Sequence, residues 1–310
     1  MGGLLVLCPG QGSQAPGMAE HLWQFAVARE VFREASEVLG WDVGDLCRHG
    51  SMEELTRTDR TQLSILTCSV AVWRVMESAG ATFAVAAGHS LGEYSALVAG
   101  GHMTFADALR VVDVRGRGMQ ACAEERGGAM AAVIGLENET IEEICSRIAD
   151  VWVANYNSPG QVVISGTVEA VRAAGEEAQQ KGAKRVLALP VSGAFHTPLM
   201  AGAAEALAQA LGEARFVEGP RRFFSTTELC YPGPDELAAM LARQLMSPVR
   251  FAQSVEALLG GADAPDEALE VGPGNVLTGL TKRIARDLPV ASTGDGEALE
   301  KALERAGGQT

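Results

Sequence analysis

Residues 81–99 read Ala81-Thr82-Phe83-Ala84-Val85-Ala86-Ala87-Gly88-His89-Ser90-Leu91-Gly92-Glu93-Tyr94-Ser95-Ala96-Leu97-Val98-Ala99, and their order decides how the rest of the chain is read. Ala81 to Ala87 is a short apolar run, long enough for one buried strand. Glu93 to Ala99 holds no proline or glycine and consists of helix-compatible residues. Between them lies a Gly-x-Ser-x-Gly turn, and strand, turn and helix in that order form a nucleophile elbow. Such a turn holds its serine in a strained backbone conformation, and a side chain at Gly88 or Gly92 would crowd it. Ser90 Oγ is then expected above the sheet edge. The Leu91 N–H at the helix start would be free to donate to a developing oxyanion, aided by the positive end of the helix dipole. A plain strand–helix turn with an idle serine would use the same residues, but the flanking elements disfavour it.

The chain has 310 residues, at or just beyond the length where a single core stops growing. One large domain carrying a smaller insert fits that length. A hydrophobic content of 47% and 36 glycines match a compact globular protein. No run approaches the ~18 consecutive apolar residues of a membrane span. The start, Leu4-Leu5-Val6-Leu7, is strand-like and lacks the basic opening of a signal peptide. Cys8, Cys47, Cys68, Cys122, Cys145 and Cys230 are scattered without paired spacing, which reads as reduced, buried thiols of a cytoplasmic protein and not as a metal site. A net charge of −14 excludes nucleic acid or an anionic membrane as the main partner. An acidic protein partner would need a local basic patch. Arg221-Arg222, Lys282-Arg283 with Arg286, and Lys181 with Lys184-Arg185 are candidates, although each reads first as a solvated cluster.

Leu4 to Cys8 predicts a strand that runs into Pro9-Gly10-Gln11-Gly12-Ser13-Gln14. This Gly-rich loop lacks the Gly-Lys-Ser/Thr ending of a nucleotide loop and the third glycine of a dinucleotide fingerprint. It is better placed to present Gln11 beside the elbow, where a second oxyanion donor is needed, although the loop by itself fits a simple strand-to-helix turn equally well. The apolar spacing predicts a helix from Glu20 to Leu39 closed by Gly40, a capped start at Ser51-Met52-Glu53-Glu54, and a buried helix from Gln62 to Ala79. Thr104 is expected to cap a further helix whose far end Gly116 and Gly118 weaken. Residues 128–190 change rhythm. Strand-like Ala129–Ile134, Val151–Asn155, Gln161–Ser165 and Ala183–Leu189 alternate with helical Glu139–Ile148 and Glu169–Lys181. That βαββαβ order is ferredoxin-like. It divides the chain into a catalytic α/β domain of residues 1–127 and 191–310 and an inserted subdomain of residues 128–190. Beyond it come helices at Leu199–Leu211 and Pro234–Gln244, a short strand at Arg222–Ser225 and a last core strand at Ala268–Val271. A C-terminal helix and a peripheral tail from Gly294 complete the chain.

A serine nucleophile needs a base. Of the five histidines, His89 adjoins Ser90 and should turn to the other face, His21 and His49 sit in early scaffold, and His102 lies in a post-helix loop. His196, in Val191-Ser192-Gly193-Ala194-Phe195-His196-Thr197-Pro198, leaves a strand end where open α/β sheets build their sites. It is the best base. No acidic residue occupies an obvious triad position; a backbone carbonyl, for example from the Ser247-Pro248-Val249-Arg250 turn, would fix the imidazole tautomer instead. Arg115 stands among apolar residues on the helix after the elbow, and two uses are open to it. It is either salt-bridged scaffold or a cation in the acyl pocket that selects a dicarboxylic acyl group through a bidentate pair.

These segments, together with Asn157-Ser158-Pro159-Gly160-Gln161, Ala194-Phe195-His196 and Glu270-Val271-Gly272-Pro273-Gly274, occur in the order of a known family. From about Leu4 to Ile284 the chain resembles the malonyl-CoA:acyl carrier protein transacylases of fatty-acid synthesis and the related polyketide acyltransferases. The resemblance implies an α/β-hydrolase-like large domain with a ferredoxin-like insert, and a monomeric enzyme without metal or bound cofactor. It also implies a ping-pong reaction. Ser90, deprotonated by His196, takes malonyl from malonyl-CoA and passes it to the phosphopantetheine thiol of an acyl carrier protein. Gln11 and Leu91 form the oxyanion hole, and Arg115 grips the malonyl carboxylate. Three departures stand out: Cys8 replaces a usual phenylalanine, Phe224-Ser225-Thr226-Thr227-Glu228 replaces a Ser-Asn-Val type sequence, and Arg250 stands where other members have glutamine.

Two other classes of function compete. A serine hydrolase clearing acyl carriers would share the elbow but would have no use for Arg115, and a non-catalytic carrier-docking protein would not need nucleophile, base and oxyanion donors together. A malonyl-transferase subunit of a malonate decarboxylase, or a free-standing polyketide acyltransferase, would carry the same residues.

Overall fold

A computed structural model describes residues 3–191 and 193–307 of the chain. Nine strands are present among them: β1 (Leu4–Cys8), β2 (Val85–Gly88), β3 (Ala129–Ile134), β4 (Val151–Ser158), β5 (Gln161–Gly166), β6 (Arg185–Ala188), β7 (Arg222–Phe224), β8 (Glu267–Glu270) and β9 (Val290–Ser292). They form two sheets. The first is wholly parallel in the order β7-β2-β1-β8-β9. Its central strands are buried on both faces, as the uninterrupted apolar runs require. Leu5, Leu7, Val85 and Ala87 join one core cluster, while Val6, Cys8 and Ala86 join the other. Register pairs Cys8 with Gly88 and Leu7 with Glu270. The Gly-rich loop after β1, the elbow after β2 and the turn after β8 therefore leave the same sheet edge, flanking the central strand where the chain order reverses.

The second sheet is antiparallel in the order β4-β5-β3-β6, with crossover helices Asn138–Arg147 and Val168–Gln180, the ferredoxin-like arrangement. One face packs Ala131, Val133 and Ile164 beneath those helices. The other contributes Met130, Ala132, Ala154 and Val163 to the main core. Backbone bonds from Val249 N–H to Ala154 O (2.9 Å) and from Tyr156 N–H to Val249 O (2.8 Å) join β4 to the larger unit.

The structure corrects several expectations. The stretch Glu20–Leu39 is interrupted at Phe25, whose extended backbone separates a 3-10 turn (Glu20–Gln24) from a helix (Ala26–Leu39). The buried helix begins earlier than predicted and spans Thr58–Ser78. The helix capped by Thr104 runs from Phe105 through both glycines to Arg126. A Cβ on Gly116 would come within 3.1 Å of Asp59 Cα, and one on Gly118 within 3.0 Å of the Ala203 Cβ. These glycines allow close helix packing; they do not end the helix. Strand β8 is not the last core strand, because β9 pairs outside it in register Ala268 with Val290. Three residues after Pro289 are too short to show a strand pattern. The tail is not peripheral either: Gly296–Gly307 is a helix whose Leu299 and Ala302 lie buried in the main core.

Candidate active site

Ser90 adopts φ +53°, the left-handed conformation expected of the elbow serine. The two glycines around it have no room for a side chain. A Cβ on Gly88 would lie 2.0 Å from the Gly92 carbonyl carbon, and one on Gly92 would lie 1.9 Å from the Cys8 carbonyl oxygen. The elbow is thus wedged against the end of β1, and the buried helix Gly92–Gly100 starts directly behind it.

His196 Nε2 lies 2.8 Å from Ser90 Oγ. Its other nitrogen, Nδ1, faces the carbonyls of Gln244 at 3.1 Å and Ser247 at 3.0 Å. Both are acceptors only, so Nδ1 carries the proton and Nε2 presents its lone pair to the serine hydroxyl. Gln244 ends the helix Pro234–Gln244, so the imidazole also sits at the negative end of a helix dipole. These carbonyls occupy the place of a triad carboxylate. Ser247 lies in the turn marked from the sequence; the Arg250 carbonyl takes no part, accepting instead from Ser254. His196 is 5% exposed, and burial, with the Arg115 charge second, pushes its pKa down to about 3. It therefore rests neutral, ready to accept a proton.

Arg115 is 1% exposed. Nη1 donates to Gln62 Oε1 (2.6 Å), and Nη2 donates to Ser90 Oγ (3.0 Å) and Gln244 Oε1 (3.1 Å). Its Nε is buried without a partner. Among the described residues no carboxylate pairs with it, which removes the salt-bridged reading. A guanidinium held by neutral oxygens against a nucleophile is poised for an anion.

Gln11 is partly buried, with Nε2 3.4 Å from Thr58 Oγ1. Its loop abuts the elbow, since a Cβ on neighbouring Gly10 would reach within 2.4 Å of the His89 carbonyl oxygen. Among the described residues neither the Gln11 nor the Leu91 N–H finds an acceptor. His89 turns aside to Asn157 Oδ1 of β4 at 2.9 Å, and burial lowers its pKa. His102 is structural, with Nε2 2.8 Å from Arg221 O.

Three residues of the site escaped the sequence reading. Gln244 occupies the buried stripe Leu237, Met240, Leu241, Gln244, and a polar residue at a core position was the available signal. Gln62 lies in an almost fully buried stretch of its helix. Glu93, quoted only as part of the motif, is 0% exposed. Its Oε1 accepts from Thr226 N–H (2.6 Å) and Ser225 Oγ (3.2 Å), and its Oε2 accepts from Gln244 Nε2 (2.5 Å). The departure at Phe224–Glu228 thereby acquires a role, because it cradles this carboxylate. Thr226 Oγ1 also donates to Gly88 O (2.7 Å), which ties the cradle to the elbow.

The model of the acyl transferase domain matches residues 6–298. The chain belongs to the acyl transferase family. This acyltransferase is 44% identical over 302 residues to the malonyl CoA-acyl carrier protein transacylase of Escherichia coli K12, covering 96% of this chain and 97% of that protein. It is 39% identical to the Bacillus subtilis 168 transacylase, covering 98% and 97%. Among solved structures it superposes with a TM-score of 0.93 on a malonyl-transacylase in complex with a type II polyketide-synthase acyl-carrier protein, at 43% identity with 97% and 99% covered. It also superposes with a TM-score of 0.91 on the acyl carrier protein S-malonyltransferase of Vibrio cholerae O1, at 44% identity with 96% and 99% covered.

A cleft of about 1120 Å³ lies away from this site. It opens at the N-terminal ends of the parallel strands, lined by Leu4, Ala84, Glu267 and Val290. Of the basic clusters, Arg221 is committed to Glu77, Arg222 to Asp263 and Lys181 to Glu143. Arg283 bonds Gln161 of β5 (2.7 Å), which places it at the seam between the two sheets' units. All six cysteines are free thiols, but the expected burial holds for four: Cys145 is half-buried and Cys230 is exposed. No described helix is long and apolar enough to cross a membrane.

Proposed function

We propose that this acyltransferase moves a malonyl group from malonyl-CoA to the phosphopantetheine thiol of an acyl carrier protein, by way of a malonyl ester on Ser90. The observation that carries the reading is the buried Arg115 guanidinium, without a carboxylate partner, 3.0 Å from the nucleophile. An uncompensated buried cation is costly unless its partner arrives with the substrate.

Malonyl-CoA enters with its free carboxylate on Arg115 and its thioester carbonyl toward the Gln11 and Leu91 N–H groups. His196 Nε2 removes the Ser90 proton as Oγ adds to the carbonyl. The imidazolium that forms is stabilised by the Gln244 and Ser247 carbonyls. Collapse of the tetrahedral oxyanion returns that proton to the departing CoA sulfur and leaves malonyl-Ser90. The carrier thiol then repeats the sequence in reverse, its proton passing to His196 and on to Ser90 Oγ. The substrate carboxylate also offsets the Arg115 charge that disfavours imidazolium. An acetyl group would not. We place the enzyme in the cytoplasm, with residues 1–127 and 191–310 as catalytic domain and residues 128–190 as insert. Lys282, Arg283 and Arg286, which have no carboxylate partner among the described residues, are left to meet an acidic carrier.

The test is intact-mass measurement after mixing with malonyl-CoA, followed by addition of carrier protein. A malonyl mass gain on the enzyme that moves to the carrier is expected. Release as free malonate with the carrier unmodified would assign a hydrolase instead.

A further inference from the structure

We propose that Glu93 is a positioning residue that sets the acyl specificity of Ser90 by orienting the Gln244 carboxamide toward Arg115. This rests on the reading that Arg115 binds the acyl carboxylate.

Gln244 Nε2 spends both hydrogens, one on Glu93 Oε2 at 2.5 Å and one on the Ser90 carbonyl at 3.0 Å. Its Oε1 is thereby turned to Arg115 Nη2. The reverse orientation would set amide hydrogens against guanidinium hydrogens, and an oxygen against both a carboxylate and a carbonyl. The 2.5 Å bond to Glu93, whose pKa burial raises while hydrogen bonds from Gln244, Thr226 and Ser225 pull it back down, makes that flip costly. The other carboxamide facing Arg115, Gln62, has among the described residues only the Met119 thioether behind it, at 3.2 Å. Gln244 is therefore the firm side of the guanidinium frame, and Glu93 is what makes it firm.

Glu93 does not touch Arg115. A direct ion pair would give the guanidinium a permanent carboxylate that the substrate would have to displace. Burial lowers the Arg115 pKa, and Glu93, one amide away, works against that shift while leaving Nε–H and one Nη1–H of the guanidinium unspent. The carboxylate is itself fixed by Thr226 N–H and Ser225 Oγ, and Glu93 follows Gly92 at the start of the elbow helix. The acyl-carboxylate anchor is thus placed by one buried carboxyl group that stands outside the reacting atoms.

The experiment compares malonyl-CoA and acetyl-CoA as donors for acyl-Ser90 formation, followed by quenched intact mass over a concentration series in the full chain. Wild type, Arg115→Ala, Glu93→Gln and Gln244→Met are measured, with thermal midpoints recorded for each. Glu93→Gln keeps the shape but confronts the Gln244 amide with another amide. Its malonyl kcat/KM is expected to fall roughly ten- to hundredfold, mostly through KM, with acetyl loading within about threefold of wild type. Gln244→Met, which retains the backbone carbonyl that holds His196, is expected to show the same loss of preference even if Glu93→Gln fails to fold. An equal loss for both acyl groups, or an unchanged malonyl preference, overturns the proposal. If Arg115→Ala itself keeps the malonyl preference, the underlying reading of Arg115 fails; if Arg115→Ala loses it and the other two variants keep it, only the role of Glu93 fails.

Discussion

Ser90 shares its hydroxyl between an imidazole and a guanidinium, and the guanidinium acts in two opposite senses on proton transfer between serine and imidazole. Arg115 stabilises a developing alkoxide but opposes a charge on His196, whose pKa is held at about 3 by burial and by that cation. The proposed mechanism needs His196 neutral, so malonyl-loading kcat/KM is expected to stay level from pH 8 to below pH 5. Its acid limb should lie well under the ordinary histidine value of about 6.5. Arg115→Ala removes the second cause and should move that limb upward, which a pH–rate series would show. The same variant is expected to lower malonyl loading by about a hundredfold while leaving acetyl loading equal or faster. Stability has its own sign. Because the folded pKa lies below the unfolded one, the unfolded chain binds the proton first as pH falls. The stabilisation from a neutral His196 is complete above about pH 6.5 and is lost toward pH 3.

At the scale of elements, legibility followed local chemistry. The Ser51/Glu54 capping box, the Thr104 cap and the Gly40 C-cap were readable because each satisfies helix-end groups with residues a few positions away. The interruption at Phe25 and strand β9 were not, since neither carries a local signature and both depend on what packs beside them. The helix Gly296–Gly307 is the clearest case. Its short apolar stripe on a charged segment looked dispensable, yet Leu299 is 1% exposed within the main core. Leu299→Ala is expected to cost roughly 2–5 kcal/mol in denaturant unfolding. A loss under about 0.5 kcal/mol, as on a surface, would restore the peripheral reading.

Across the whole molecule, the insert is not an independent body. Met130, Ala132, Ala154 and Val163 complete the core of the larger unit, and Val249 bonds to β4 from the other side. Unfolding is therefore expected to be one transition, coincident by far-ultraviolet circular dichroism and by fluorescence of variants keeping only Trp152 of β4 or only Trp73 of the main core. Separate midpoints for the two tryptophans would show two autonomous units.

What the sequence alone determined was the chemistry compressed into short segments. The Gly-x-Ser-x-Gly turn has one workable backbone, the βαββαβ rhythm has few packings, and a histidine and an arginine in the right surroundings have few uses. Tertiary structure decided whatever depended on distant segments meeting. Gln62, Glu93, Ser225, Thr226 and Gln244 come from four separate stretches, and each looks ordinary in its own. They become a site because the register of β1, β2 and β7 and the end of one helix bring buried polar groups together where water cannot serve them. There a buried carboxylate must find donors and a buried cation must find acceptors, and only the fold says which.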